Sequence, residues 1–483
     1  MLLKEMTDRI HCRVVGSTDV EISGMNYDSR QVDKGDLFFC IKGYETDGHK
    51  YAKMAVERGA VCIVVSELQD VPVTQVVVED GRRAMAEMSA LFYGEPAKSL
   101  RMIGVTGTNG KTSITYMIKN ILETAGEKVG LLGTIVNLIG DRAIHTERTT
   151  PESMDLQRLL RQMVDEGVNS VVMEVSSHSL VLERVYGIKF AAAAFTNLTQ
   201  DHLDFHKTFE NYAAAKAILF QNSENAVINT DDRYGGYMKD AATGRVITYG
   251  MNKGDVRAEN VELHIDGCAY KLVGKDGTTF PIHVAIPGMF SVYNTLCAAA
   301  VAMCMGIGAE HIAAGIGRMK SVPGRFEALN THGGDYAVIL DYAHTPDSLQ
   351  STLQTIRGFA KGRIVSIVGC GGNRDSRKRP IMGEITGRMA DFSIITSDNP
   401  RFEKPMDIID MIIPGVEKSG GDYIVIENRR NAIRYALEHA KKDDVILLAG
   451  KGHEDYQEIE GVKHPFDEKV IVEELLSELG RIG

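Results

Sequence analysis

The chain has 483 residues, 44% hydrophobic and 25% charged, the composition of a folded globular protein with room for about three ordinary domains. Its formal charge of −11 argues against broad nucleic-acid binding, which rests on a basic surface, but leaves room for a local cradle that holds a small anion. No apolar run approaches the ~20 residues of a membrane span, Met1 to Val14 lacks a signal-like core, and seven dispersed cysteines form neither a CxxC pair nor a disulfide framework, so a cytoplasmic, non-inserted monomer with reduced thiols is expected.

In chain order, short apolar runs at 37–41, 62–65 and 75–78 alternate with helical patterns at 49–58 and 81–91, predicting a small α/β unit. Gly94 to Lys98 breaks the pattern and predicts a linker. The next strand, Leu100 to Val105, runs into Gly107-Thr108-Asn109-Gly110-Lys111-Thr112 and a helical pattern, the context of a phosphate loop: backbone N–H groups turn toward phosphates, Lys111 reaches the outer ones, and Thr112 joins a magnesium shell. Val105 stands where that loop usually has its first glycine, so an ordinary glycine-rich turn is the competing reading.

Buried-type runs at 170–175 and 191–195 end in Glu174-Val175-Ser176-Ser177-His178 and Asn197 to Asp204, as expected at the carboxyl edge of a parallel sheet. Glu174 is placed to bind magnesium. Asp201, His202, Asp204 and His206 crowd together as a metal or phosphate site, or as helix-cap histidines bonded to backbone; zinc-site spacing is absent. Lys216 lies in a helical segment and reads as a surface lysine from chemistry alone. Asn294 and Arg325 are candidates for adenine and phosphate contacts.

Asn330 to Asp335 predicts a second boundary, followed by strands at 337–340, 364–368, 392–396 and 445–448 with room for crossover helices. Asp341 follows the first of these and is placed to accept ribose hydroxyls, and Pro346 favours a turn or helix start. Gly369 to Arg374 imitates a dinucleotide fingerprint, but Arg374 stands where its last glycine belongs, so nicotinamide and flavin are not expected. Arg374, Arg377, Lys378 and Arg379 form an anion-attracting surface or a solvated charge run.

The ordered series 107–112, 174–178, 197–206, Asp341 to Pro346 and Gly450-Lys451-Gly452-His453-Glu454 resembles the ATP-dependent amino-acid ligases that build the peptide stem of bacterial cell-wall precursors, over essentially the whole chain. Asp28-Ser29-Arg30, Asp47-Gly48-His49 and Asp398-Asn399-Pro400-Arg401 resemble the branch that adds meso-2,6-diaminopimelate to a UDP-N-acetylmuramoyl dipeptide. The resemblance implies an α/β protein of three domains: a UDP-substrate domain (1–98), a central P-loop ATPase-like parallel sheet (99–328), and a Rossmann-like amino-acid domain (329–483) that closes over the site. It also implies ATP and Mg2+, with Thr112, Glu174, His202 and a carbamylated Lys216 around the metal. Ser29 then touches the uridine region, while Thr149, Thr150, Ser176 and Arg184 hold the muramoyl peptide. Arg374, Asp398, Asn399, Pro400, Arg401, Gly450 and Glu454 receive the amino acid. Asn373 and Lys404 depart from the family pattern. A lysine-adding ligase of the same family, or a nucleotide-dependent switch or structural ATPase, are the alternative functions.

Overall fold

The computed structural model describes residues 1–43, 46–146, 148–264 and 266–481. Three α/β sheets follow one another along the chain. The first has five strands in the order 13–15, 74–77, 62–65, 36–39 and 24–26. All its pairings are parallel except that of the edge strand Arg13–Val15. The expected strand at 62–65 forms as Cys62–Val65, and the expected helix at 81–91 forms as Gly81–Phe92. The helical pattern at 49–58 splits into a 3-10 turn, Gly48–Tyr51, and a helix, Ala52–Arg58.

The second sheet is centred on Arg101–Thr106, which pairs in parallel with Ser170–Glu174 on one side and Ala192–Phe195 on the other. The registers Val105 to Glu174 and Thr106 to Phe195 bring the three carboxyl ends to one edge. Such strands are apolar throughout because helices cover both faces. The helix Lys111–Thr124 buries Ile114, Met117, Ile118, Ile121 and Leu122, the i, i+3, i+4, i+7, i+8 stripe of one helical face. Each such side chain contributes about 1.5–3 kcal/mol, so that face fixes where the helix starts, and with it Lys111. The helix Met289–Cys304 is buried nearly all round, which sets Asn294, near its start, against the phosphate loop.

The central sheet departs from the expected parallel architecture at both edges. Its eleven strands include antiparallel extensions, Asn137–Ile139 with Arg142–Ile144, and Val256–His264, Gly267–Gly274 and Thr279–Val284. Antiparallel partners need only short turns, whereas each added parallel strand needs a crossover.

The third sheet runs in the order 327–329, 337–341, 445–449, 364–368, 392–395 and 423–425, parallel except for the first pairing. Glu327–Leu329 already belongs to this sheet, so its strands begin before the boundary expected at 329. The turn at 330–335 joins two strands of one unit. Asp341 lies opposite Ala449, setting the turns at 341–346 and 450–454 side by side. Pro346 begins the helix Pro346–Arg357, whose N-cap Thr345 Oγ1 accepts from Ser348 N at 3.2 Å.

Candidate active site

A cavity of about 820 Å³ opens where the second and third units meet. From the second it is lined by Thr108, Asn109, Gly110, Lys111, Thr112, Thr149, Glu174, His202 and Asn294, and Arg325 and Asp341 line it from the junction and third unit. Gly107, Thr150, Ser176 and Lys216 lie behind this lining, while Ser29, Arg184, Arg374, Asp398, Asn399, Pro400, Arg401, Gly450 and Glu454 are placed elsewhere.

The phosphate loop is held from behind. Thr196 Oγ1 and Asn197 Nδ2 donate to Asn109 O at 2.7 and 3.2 Å, and Asn109 N donates to Asn197 Oδ1 at 2.8 Å. Gly110 has φ +89°, and a Cβ there would lie 2.6 Å from Asn294 Oδ1, so glycine is required on both conformational and steric grounds. Lys111 Nζ donates to the carbonyls of Gly107 and Thr108, each at 2.9 Å. Burial lowers its pKa, Glu174 and Asp201 oppose that shift, and Arg325 adds to it.

Lys216 is not a surface lysine: it is 1% exposed, with Nζ donating to Gly107 O at 2.9 Å and lying 4.5 Å from the Tyr212 ring centre. Burial, reinforced by Lys111, pushes its pKa well below the usual lysine value. Glu174 is buried and accepts from Thr134 N and Thr134 Oγ1 at 2.9 and 3.0 Å. Thr112 Oγ1 accepts from Arg325 Nη2 at 3.1 Å, and the Arg325 guanidinium stacks 4.5 Å from the Tyr342 ring centre. Asp341 accepts from Phe326 N and Thr352 Oγ1 at 2.7 and 3.1 Å, and its burial raises its pKa.

His202, His178 and His206 pack edge to face. Burial pushes their pKa values down to about 3, 4 and 4 respectively, so neutral imidazoles stand here. Asp201 is the residue that the sequence left without a specific role. Its carboxylate lies 3.3 Å from His202 Nε2, 3.7 Å from His344 Nε2 and 4.0 Å from Lys378 Nζ. Burial would raise its pKa, but these neighbours together hold it well below the usual value. Asn109 Nδ2 also donates to Asp347 Oδ2 at 2.9 Å, a second tie between the units. No local signal marks Asp347 or the cavity's aromatic wall of Tyr293 and Phe359, and the basic run that contains Lys378 gives no sign of its contact with Asp201.

A separate polar cluster occupies the third unit. Lys451, 0% exposed, donates to Asn399 Oδ1 at 3.1 Å and pairs with Glu454 and Asp398 at 3.2 and 3.7 Å. Asn399 Nδ2 donates to Glu454 Oε2 at 2.8 Å. Burial alone would raise the Asp398 pKa, but Lys451 and Arg429 outweigh it and lower it. Arg374 is exposed nearby. The run 374–379 is not uniformly solvated: Lys378 is buried against Asp201, and Arg379 pairs with Glu403 at 2.8 Å.

The third group lies toward the first unit. Ser176 N donates to Thr150 Oγ1 at 3.2 Å, Thr149 Oγ1 accepts from Thr134 Oγ1 at 3.0 Å, and Arg184 donates to Thr150 O at 3.1 Å while pairing with Glu152 at 2.8 Å. Ser29 is buried in the first unit, 3.5 Å from Met54 Sδ. Tyr27 Oη donates to Asp155 Oδ2 at 2.6 Å and joins the first unit to the second.

Family models described as Mur ligase family catalytic domain, Mur ligase middle domain, and Mur ligase glutamate ligase domain match residues 21–93, 105–302 and 324–452. The chain belongs to the Mur ligase family. A Clostridium acetobutylicum relative, named UDP-N-acetylmuramoyl-L-alanyl-D-glutamate–2,6-diaminopimelate ligase 1, is 51% identical over 99% of this chain and 100% of that relative. A Clostridium botulinum relative named as the same type of ligase is 52% identical over 95% of this chain and 96% of its own. A solved structure titled with that ligase name is 31% identical, with a TM-score of 0.69 over 99% of each chain. This Mur ligase chain thus matches relatives from end to end, all three units included.

Proposed function

We propose that the chain ligates meso-2,6-diaminopimelate to the D-glutamate side-chain carboxylate of UDP-N-acetylmuramoyl-L-alanyl-D-glutamate, consuming ATP in the cytoplasm. The observation that carries this reading is the end-to-end 51% identity with a relative so named, joined to a phosphate-loop cavity between two units. ATP places its phosphates on Gly107 to Thr112, its adenine near Asn294 and its ribose near Asp341. A substrate carboxylate oxygen attacks the γ-phosphorus, the bond to the β–γ bridging oxygen breaks, and ADP leaves an acyl phosphate. Lys111 and Arg325 offset the charge that spreads over the transferring group. The diaminopimelate amine then attacks the acyl carbon and loses a proton, and the tetrahedral intermediate expels phosphate. The tie from Asn109 to Asp347 and the cluster around Asp201 hold the units together and keep water from the acyl phosphate.

The donor chemistry fits magnesium in part. The Thr112 hydroxyl and Glu174 carboxylate are the hard oxygen ligands it takes alongside nucleotide phosphates; the His202 imidazole is a softer ligand. Among the described residues no group of three or more His, Cys, Asp or Glu side chains is gathered to hold a metal. When bound, magnesium neutralises phosphate charge. Lys216 does not fit the ion as an amine; as a carbamate, formed when its nitrogen adds carbon dioxide and releases a proton, it supplies an oxygen ligand.

Ser29 contacts the uridine part, and Thr149, Thr150, Ser176 and Arg184 hold the muramoyl peptide. Asp398, Asn399, Pro400, Arg401, Gly450 and Glu454, with Arg374 at the rim, receive the amino acid. Arg401 faces its distal carboxylate, and Glu454 and Gly450 its amino end. The test is direct: incubate the protein with ATP, Mg2+, the UDP-muramoyl dipeptide and either diaminopimelate or L-lysine, then weigh the product. A diaminopimelate adduct is expected; a lysine adduct, or ATP hydrolysis with no amide, rejects the reading.

A further inference from the structure

The hairpin formed by Tyr456–Ile459 and Val462–Pro465 follows the Gly450 to Glu454 turn and docks on the segment 398–401. Gln457 Nε2 donates to Asp398 O at 2.6 Å, and Glu458 N donates to Asn399 Oδ1 at 2.9 Å. Arg401 N donates to Glu458 O at 3.0 Å, and Glu460 N donates to Arg401 O at 2.7 Å. Arg401 has φ +52°, the left-handed region that a non-glycine residue adopts only when its surroundings impose it. These two backbone bonds impose it.

The side chain is held as well. Arg401 Nε donates to Glu458 Oε2 at 3.0 Å and Nη1 donates to Gly372 O at 2.9 Å. Gly372 can come this close only without a side chain, because a Cβ would sit 1.9 Å from Pro400 O. A guanidinium carries five N–H donors on one plane. Among the described residues two are used, leaving both donors on Nη2 together with one on Nη1.

From this geometry we propose that Glu458 is a positioning residue that presents Arg401 to the distal carboxylate of the amino acid, an inference that rests on the amino-acid pocket described under the proposed function. The ion pair is largely buried, with side chains 17% and 23% exposed, and the backbone bonds anchor the hairpin independently of it. Its effect is to stop rotation of the guanidinium and leave the Nη edge ready for a two-pronged carboxylate contact. An arginine fixed in advance loses less side-chain entropy on binding. Glu458 also repels an incoming carboxylate. Because it takes the Nε edge, not the Nη edge, and is partly screened by water, orientation outweighs repulsion.

The test compares wild type, Glu458→Ala, Glu458→Gln and Glu458→Asp, varying diaminopimelate at saturating ATP and UDP-muramoyl dipeptide, then varying ATP. Glu458→Ala is expected to raise the KM for diaminopimelate about tenfold, the loss expected for loosening one charge-assisted bond, with kcat and the KM for ATP within about twofold. Glu458→Gln, whose side-chain oxygen still accepts from Nε, should recover most of that loss. Glu458→Asp keeps the charge but shortens its reach; it should give an intermediate KM and serves if the alanine variant does not fold. Turnover of lysine, which has no distal carboxylate, should not change. An unchanged or lowered KM for diaminopimelate, or a rise shared equally by ATP, overturns the assignment of Glu458 while leaving the proposed function standing. A wild-type protein that does not take diaminopimelate at all removes both.

Discussion

Two buried lysines, Lys216 in the second unit and Lys451 in the third, stand in opposite surroundings. Lys216, beneath the phosphate loop, meets a carbonyl oxygen and a tyrosine face, and Asp201 only partly offsets the burial of its amine. Lys451, in the polar cluster of the third unit, meets Asn399, Glu454 and Asp398. A buried ammonium without a counter-ion is costly, whereas one enclosed by carboxylates holds together a network that fails when any member is lost. Lys216 is therefore held by a backbone carbonyl and a ring face, whereas Lys451 is held in a preassembled side-chain lattice.

Breaking the phosphate end should have the largest effect. Lys111→Ala is expected to lower the ligation rate by about a thousandfold or more, because its contact strengthens as charge moves onto the transferring phosphoryl group. Circular dichroism should report an intact fold, and substantial product from the folded variant would refute the assignment. At the other end, Arg401→Ala should reduce kcat/KM for diaminopimelate about a hundredfold, the scale of a lost charged bond, without creating good lysine activity. Nucleotide binding, followed by calorimetry, should stay near wild type; parallel loss of ATP affinity would show that the two halves are not separable.

The two lysines give a sharper contrast in stability. Lys451→Met removes the nearest cation from Glu454 and Asp398, leaving only Arg429 close to the latter, and should cost about 3 kcal/mol. Lys216→Met removes an unpaired amine from an enclosed site and should leave stability unchanged or raise it by ~1 kcal/mol, while ligation collapses. Denaturant titration of both variants checks the pair, and equal losses would erase the distinction. Intact-mass measurement at high bicarbonate should separately show one carbon dioxide added in wild type and none in Lys216→Met.

The smallest expected effect is on pH dependence. The folded-state pKa values of His178 and His206 lie near 4 and that of His202 near 3, below the ordinary histidine value of about 6.5. In the window between, the unfolded chain binds more protons, so stability is full above about pH 6.5 and falls as pH drops toward 4. His178→Gln should flatten that slope by roughly 1 kcal/mol at pH 5, a figure discounted for partial exposure. Unchanged slopes would mean that the imidazoles titrate freely.

The sequence by itself determined what is local. Cys62–Val65 and Ile364–Val368 formed at their expected bounds, because a short, mostly apolar, β-branched run buries both faces as a central strand. The phosphate loop was legible for the same reason: strand, glycines, lysine and helix are contiguous, and the glycine conformations follow from backbone sterics. Only the tertiary structure decided which distant side chains meet. Lys216 reads as a surface residue until helix Phe209–Gln221 packs it under Gly107, and Lys378 reads as part of a solvated charge run until the third unit sets it beside Asp201. The antiparallel strands from 256 to 284 and the Glu458 contact with Arg401 carry no motif at all. Periodicity records which face of an element is buried; it does not record which charge on another element will lie across from it.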